Sequence, residues 1–118
     1  MPNNSTFYFS DRAALVPSTT ATTSGNGASN STFGPAKTVR AQLSVTAASG
    51  TAPMLDVVIE DTLDGVNFYT VATFTQATVV SRQVLNVSAP FTDTLRARWT
   101  LTGTTPSFTF AVDTYSEG

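Results

Sequence analysis

LDVVIEDTLDGVNFYTVATF, residues 55–74, reads as strand, tight turn and strand. Leu55, Val57 and Ile59 alternate with Asp56, Val58 and Glu60, the period of two that turns one face of a strand inward. Asp64-Gly65 interrupts the pattern. Glycine accepts a positive φ without steric cost and aspartate bonds its own backbone, so this pair signals a hairpin turn. Phe68, Tyr69, Val71 and Phe74 then resume with side chains that suit a pleated surface.

The same period extends on both sides. Val39, Ala41, Leu43, Val45 and Ala47 alternate with polar neighbours, and 48–53 (ASGTAP) reads as a loop. A less regular strand covers 79–87, with Val84, Leu85 and Val87 as its core contributors, and Ala89-Pro90 turns the chain. Leu95, Ala97, Trp99 and Leu101 share a face opposite Arg96, Arg98 and Thr100. Gly103-Thr104-Thr105-Pro106 makes a turn before Phe108, Phe110 and Val112, the last inward row. Short strands with turn chemistry between them and no helical repeat predict an all-β antiparallel β-sandwich of about six or seven strands. Its expected core is Leu43, Val57, Ile59, Phe68, Trp99, Phe108 and Phe110.

Residues 1–36 differ in composition. Residues 13–36 carry no charge, and 18–32 are almost wholly Ser, Thr, Gly, Asn and Ala. Such a tract buries too little apolar surface to offset its own ordering entropy. The expectation is an extended N-terminal arm over 1–36 ahead of a sandwich domain over 37–118. Asp11 to Val16 is open to a single helical turn stopped by Pro17. Phe7, Tyr8, Phe9 and Phe33 are the expected anchors on a neighbouring subunit, and removal of 1–36 is expected to leave a folded monomer that no longer binds.

Composition narrows the function. The 118 residues fit one domain with one core. Charged residues are 12% of the chain and the net charge is −2, which offers no basic field to nucleic acid and little protection against self-association. The chain has no Cys and no His, so disulfides, thiolate chemistry and a histidine general base are excluded. No apolar run reaches membrane-spanning length, and the N-terminus does not read as a signal peptide.

Local constellations are modest. Asp61, Asp64 and Asn67 offer oxygens to a hard cation, but without EF-hand spacing, and turn chemistry accounts for them. Asp56 and Glu60 share an outer strand face and are expected to oppose Arg96 and Arg98 as cross-strand ion pairs. No Gly-x-Ser-x-Gly elbow, triad or phosphate loop is present, so an enzyme, a cofactor and a small-molecule substrate are not expected. Tyr8, Phe68, Tyr69 and Tyr115 leave a glycan-binding adhesion module as an alternative from another class.

The segments AQLSVTAASGTAPMLDVVIEDTLDGVNFYTVATF and APFTDTLRARWTLTGTTPSFTFAVD, between about Arg40 and Asp113, resemble small β-sandwich virion proteins encoded by tailed bacteriophages. The shared elements are apolar-Asp-Val-x-Ile-x-Asp-x-x-Asp-Gly, then Ala-Pro-Phe, Leu-Arg-x-Arg-Trp and Gly-Thr-x-Pro-Ser-Phe-Thr-Phe. Phe68 stands where that pattern has Trp, and residues 1–36 lie outside it. The resemblance implies a non-enzymatic virion structural protein. A head decoration or cement protein on the outer surface of the major capsid protein lattice is the expected form, made in the host cytoplasm, with the capsid protein or copies of itself as partners. A tail or head–tail connector component is the alternative within the virion.

Overall fold

The computed structural model describes residues 10–88 and 90–118. Six strands form it: β1 (Ser10–Ala21), β2 (Gly25–Asn26), β3 (Thr38–Thr62), β4 (Phe68–Thr73), β5 (Ser81–Val87) and β6 (Leu95–Glu117). All pairings are antiparallel. The fold is an all-β sandwich built on one folded sheet.

Two long strands dominate. β3 and β6 pair from Thr38↔Glu117 to Asp61↔Leu95, with register shifts between Val45 and Met54. A straight ribbon would hold Trp99 and Phe110 roughly 36 Å apart at about 3.3 Å per residue. Their rings instead meet edge-on at 5.2 Å between centroids, so the ribbon folds back on itself. The fold lies at two matching segments, Gly50-Thr51-Ala52-Pro53 and Gly103-Thr104-Thr105-Pro106. In each, the glycine and the residue two places on have positive φ: Gly50 117°, Ala52 50°, Gly103 114° and Thr105 45°. A Cβ on Gly50 would stand 2.8 Å from the Thr105 carbonyl oxygen, and one on Gly103 would stand 2.6 Å from that of Ala52. The strands cross too closely there for any side chain. The expected loop at 48–53 and turn at 103–106 are thus paired corners within continuous strands.

Folding the ribbon makes two four-stranded layers. Layer A has the order β1-β6-β3-β5, from the first half of β3 and the second half of β6. Layer B has β2-β6-β3-β4, from the other halves. The two halves of the chain repeat one pairing pattern: β1 and β2 flank the two halves of β6, and β4 and β5 flank those of β3. The expected hairpin over 55–74 is present as β3–β4, from Val58↔Thr73 to Thr62↔Phe68.

The core between the layers includes Phe33, Leu43, Leu55, Val57, Ile59, Leu95, Phe108 and Phe110, each at most 1% exposed. Two expected core residues are only half-buried. Trp99 is half-buried at the margin, where its indole N–H donates to the Thr23 carbonyl at 3.1 Å. A buried indole needs a polar partner, and this one sits at the rim. Phe68 is also half-buried, on the outer side of layer B beneath Arg96. Val84 is exposed, because pairing directs Leu85 and Val87 inward instead.

The boundary expected at 36/37 does not separate two structural units. Residues 10–21 are β1, an edge strand of layer A. The edge tolerates Pro17, which has no N–H to donate and falls at a register shift. Further on, the amides of Gly27, Asn30 and Phe33 donate to the carbonyls of Ala97, Leu95 and Asp93. Leu15, Val16, Ala21 and Phe33 enter the core. Backbone pairing along β6 and these few anchors order a tract whose composition is that of a linker. No helical turn forms at 11–16 because those residues pair with β6. Phe7, Tyr8 and Phe9 lie outside the described residues.

Candidate interaction surface

At the open end of the sandwich, away from the corners, the β3–β4 turn projects apolar side chains. Leu63 is 81% exposed, Val66 78% and Tyr69 57%. The turn is held from within by Asp64. Its Oδ1 accepts the amides of Val66 at 2.8 Å and Asn67 at 2.7 Å, and its Oδ2 accepts the Asn67 side-chain amide at 2.8 Å. Those bonds, the Asn67 amide first, hold its carboxyl down to about 2. Gly65 supplies a φ of 80°. Below the tip, Leu63, Tyr69, Pro90 and Phe91 line a groove floored by Asp61, whose Oδ2 accepts the Thr92 amide at 3.0 Å. Both oxygens of Asp64 and Oδ2 of Asp61 therefore accept hydrogen bonds within the turn region, and no cluster of acids suited to a metal occurs among the described residues.

The expected ion pairs resolve onto one acid. Arg96 Nε donates to Glu60 Oε1 at 3.0 Å, and Arg98 Nε to Glu60 Oε2 at 2.8 Å. Register places Glu60 opposite Arg96, while Asp56 lies opposite Thr100. Asp56 instead accepts from the Gln76 side-chain amide at 3.1 and 3.2 Å. Glu60 is 4% exposed. Burial pushes its carboxyl up, but the hydrogen bonds and charges of Arg98 and Arg96 pull it further down, to a net position below the ordinary carboxylate range. Arg96 also stacks on Phe68, 3.6 Å from the ring centroid.

The outer face of layer A carries the opposite charge. Residues directly opposite on neighbouring strands share a face, so Arg12, Tyr115, Arg40 and Asn86 form one row across it. The Arg12 guanidinium lies 5.8 Å from the Tyr115 ring centroid. The next row holds Asp113, Gln42 and Val84, and Arg82 lies beyond, opposite Ser44. The six cations and eight acids of the chain divide unevenly. Arg12, Lys37, Arg40 and Arg82 accompany layer A with Asp11, Asp113 and Glu117. Layer B and its turns hold Asp56, Glu60, Asp61, Asp64 and Asp93 against Arg96 and Arg98, and Glu60 occupies both arginines.

The expected anchor Phe33 is 1% exposed and belongs to this chain's own core. The aromatics proposed as a glycan platform do not converge: Phe68 and Tyr69 are consecutive in β4 and point to opposite faces, and Tyr115 is in the other layer. Leu63 and Val66 were not singled out from the sequence as surface residues. Their trace was apolar residues inside an Asp-Gly turn, where solvent would favour polar ones.

No protein-family model matches the chain, and no curated protein matches it by sequence. Among solved structures, the SPBc2 prophage-derived protein YomS is similar at 8% identity and a TM-score of 0.55, covering 96% of each chain. A chain of the infectious bursal disease virus Gx strain structure is similar at 8% identity and a TM-score of 0.54. That match covers 93% of this chain, which spans about a third (32%) of the viral one. At such identities the likeness is one of fold.

Proposed function

We propose that this chain is a non-enzymatic structural protein of a bacteriophage virion, and within the virion a head decoration protein on the outer surface of the major capsid lattice. The observation that carries the reading is the end-to-end likeness to a prophage-derived protein of nearly the same extent. The sandwich recurring in a chain of a virus structure supports it. The surface is consistent with a binding role: the apolar tip at Leu63 and Val66 is rigidly held, and the acids beside it are committed to structural hydrogen bonds. Phe7, Tyr8 and Phe9, in an uncharged stretch of sequence, are proposed anchors on the capsid protein. Many weak contacts of this kind would reinforce a shell by avidity.

The test is copy number in purified particles, measured by quantitative mass spectrometry on separated heads and tails. Copies on heads in proportion to the capsid lattice support the decoration role. A ring-sized number, about a dozen or fewer, on tails or at the neck would point to a connector. Absence from particles would overturn the virion reading.

A further inference from the structure

We propose that the chain associates with itself head to tail. The β3–β4 tip of one copy, Leu63 to Tyr69, seats on the outer face of layer A of the next, around Arg12, Tyr115, Arg40 and Val84. This deepens the virion reading, since it names a contact between copies of a repeated structural protein.

Three observations converge. The tip is apolar and exposed at Leu63 and Val66, and the Asp64 side chain ties it to a single shape. Association therefore orders little that is not already ordered. The receiving face offers the Tyr115 ring and the exposed Val84 among polar side chains. Shallow hollows flank Tyr115, lined by Arg40 and Asn86 on one side and by Gln42, Val84 and Asp113 on the other. Arg12, Arg40 and Arg82 form no salt bridge among the described residues. Finally, the charges are complementary in net sign: the tip carries Asp64, with Asp93 on the same layer, and the face carries Arg12, Arg40 and Arg82 against Asp113 and Glu117. Cation and carboxylate at an interface rim steer encounter and fix register.

The two patches lie on different layers of the molecule. In a head-to-tail contact each copy keeps one free tip and one free face, which builds a ring or a linear array, whereas reciprocal seating of both patches about a two-fold would stop at a dimer.

The experiment is sedimentation velocity of the purified full chain across a concentration series, at low and high ionic strength. Association beyond the dimer, weakened by salt, is expected. Arg40→Glu spoils the face and Leu63→Glu spoils the tip; both positions are exposed, and circular dichroism checks that the fold is retained. Each variant alone should associate at least about tenfold more weakly, the scale of losing a well-placed interfacial contact. Mixed, they should form a 1:1 dimer and nothing larger, because one intact tip meets one intact face. Arg12→Glu in place of Arg40→Glu should behave alike. A wild-type chain that stays monomeric or stops at a dimer, variants that associate like wild type, or a mixture that stays monomeric would each overturn the proposal. Absence from particles would sink the virion reading and leave these solution results unchanged.

Discussion

Replacing Gly103 with alanine should cost far more than the same change at Gly65, although both glycines have positive φ. At Gly65 the φ is 80° and a Cβ would meet no heavy atom within 4 Å. The cost there is that of placing a non-glycine residue in a left-handed conformation, roughly 1 kcal/mol. At Gly103 the φ is 114°, and the new Cβ would stand 2.6 Å from the Ala52 carbonyl oxygen and 3.0 Å from Pro53 Cα and from the Thr51 carbonyl oxygen. All three contacts are backbone on the partner strand, so none relaxes by a rotamer change. Backbone strain of about 1–3 kcal/mol combines with displacement of the corner, and a total near 3 kcal/mol or more is expected. For a domain of this size that corresponds to a drop in Tm of roughly 10–20 °C. Gly50→Ala should behave similarly, since its Cβ would lie 2.8 Å from the Thr105 carbonyl oxygen. The assay is urea denaturation of the three variants and wild type, with calorimetry as a check. If Gly103→Ala and Gly65→Ala lose the same stability, the account of the corner as the crowded crossing of a folded ribbon is wrong.

Other outcomes follow from the same structure. Phe33→Ala should destabilise by about 3–5 kcal/mol, against little effect for a residue on a detached arm; urea denaturation separates these. Removing residues 1–36 should yield an unfolded or aggregating chain rather than a folded monomer, because it strips β1, β2 and Phe33 from β6; circular dichroism and sedimentation would show it. For Glu60 the folded-state pKa is depressed. Its contribution is therefore fully present above the unfolded-state value near 4.5 and lost as pH falls through the folded value. Glu60→Gln should flatten that part of the acid limb in a pH series of thermal melts.

The strands were legible locally because period-two alternation and turn residues act over a few positions. Leu43, Val57, Ile59, Phe108 and Phe110 followed from that alternation and are buried. Trp99 packs against the core only from its margin, and Phe68 did not follow: aromatic size says that a side chain seeks cover, but not whether an arginine or the core provides it. Glu60 could be placed beside arginines by face. Which acid receives them depends on register, which a pattern of alternation leaves open.

What the sequence determined alone was an antiparallel β domain with the hairpin at 55–74, and the absence of histidine and cysteine chemistry. The tertiary structure decided where the glycine segments sit, what orders residues 10–36, and which charges share a face. Gly50-Thr51-Ala52-Pro53 and Gly103-Thr104-Thr105-Pro106 each look like an ordinary turn. Only their pairing across β3 and β6 makes them corners of one folded ribbon. Likewise, the Ser/Thr/Gly tract has no local reason to be ordered. Its partners are the carbonyls of residues 93–97 and a core assembled from both ends of the chain, and contacts between residues so distant in sequence exist only once the whole sheet has formed.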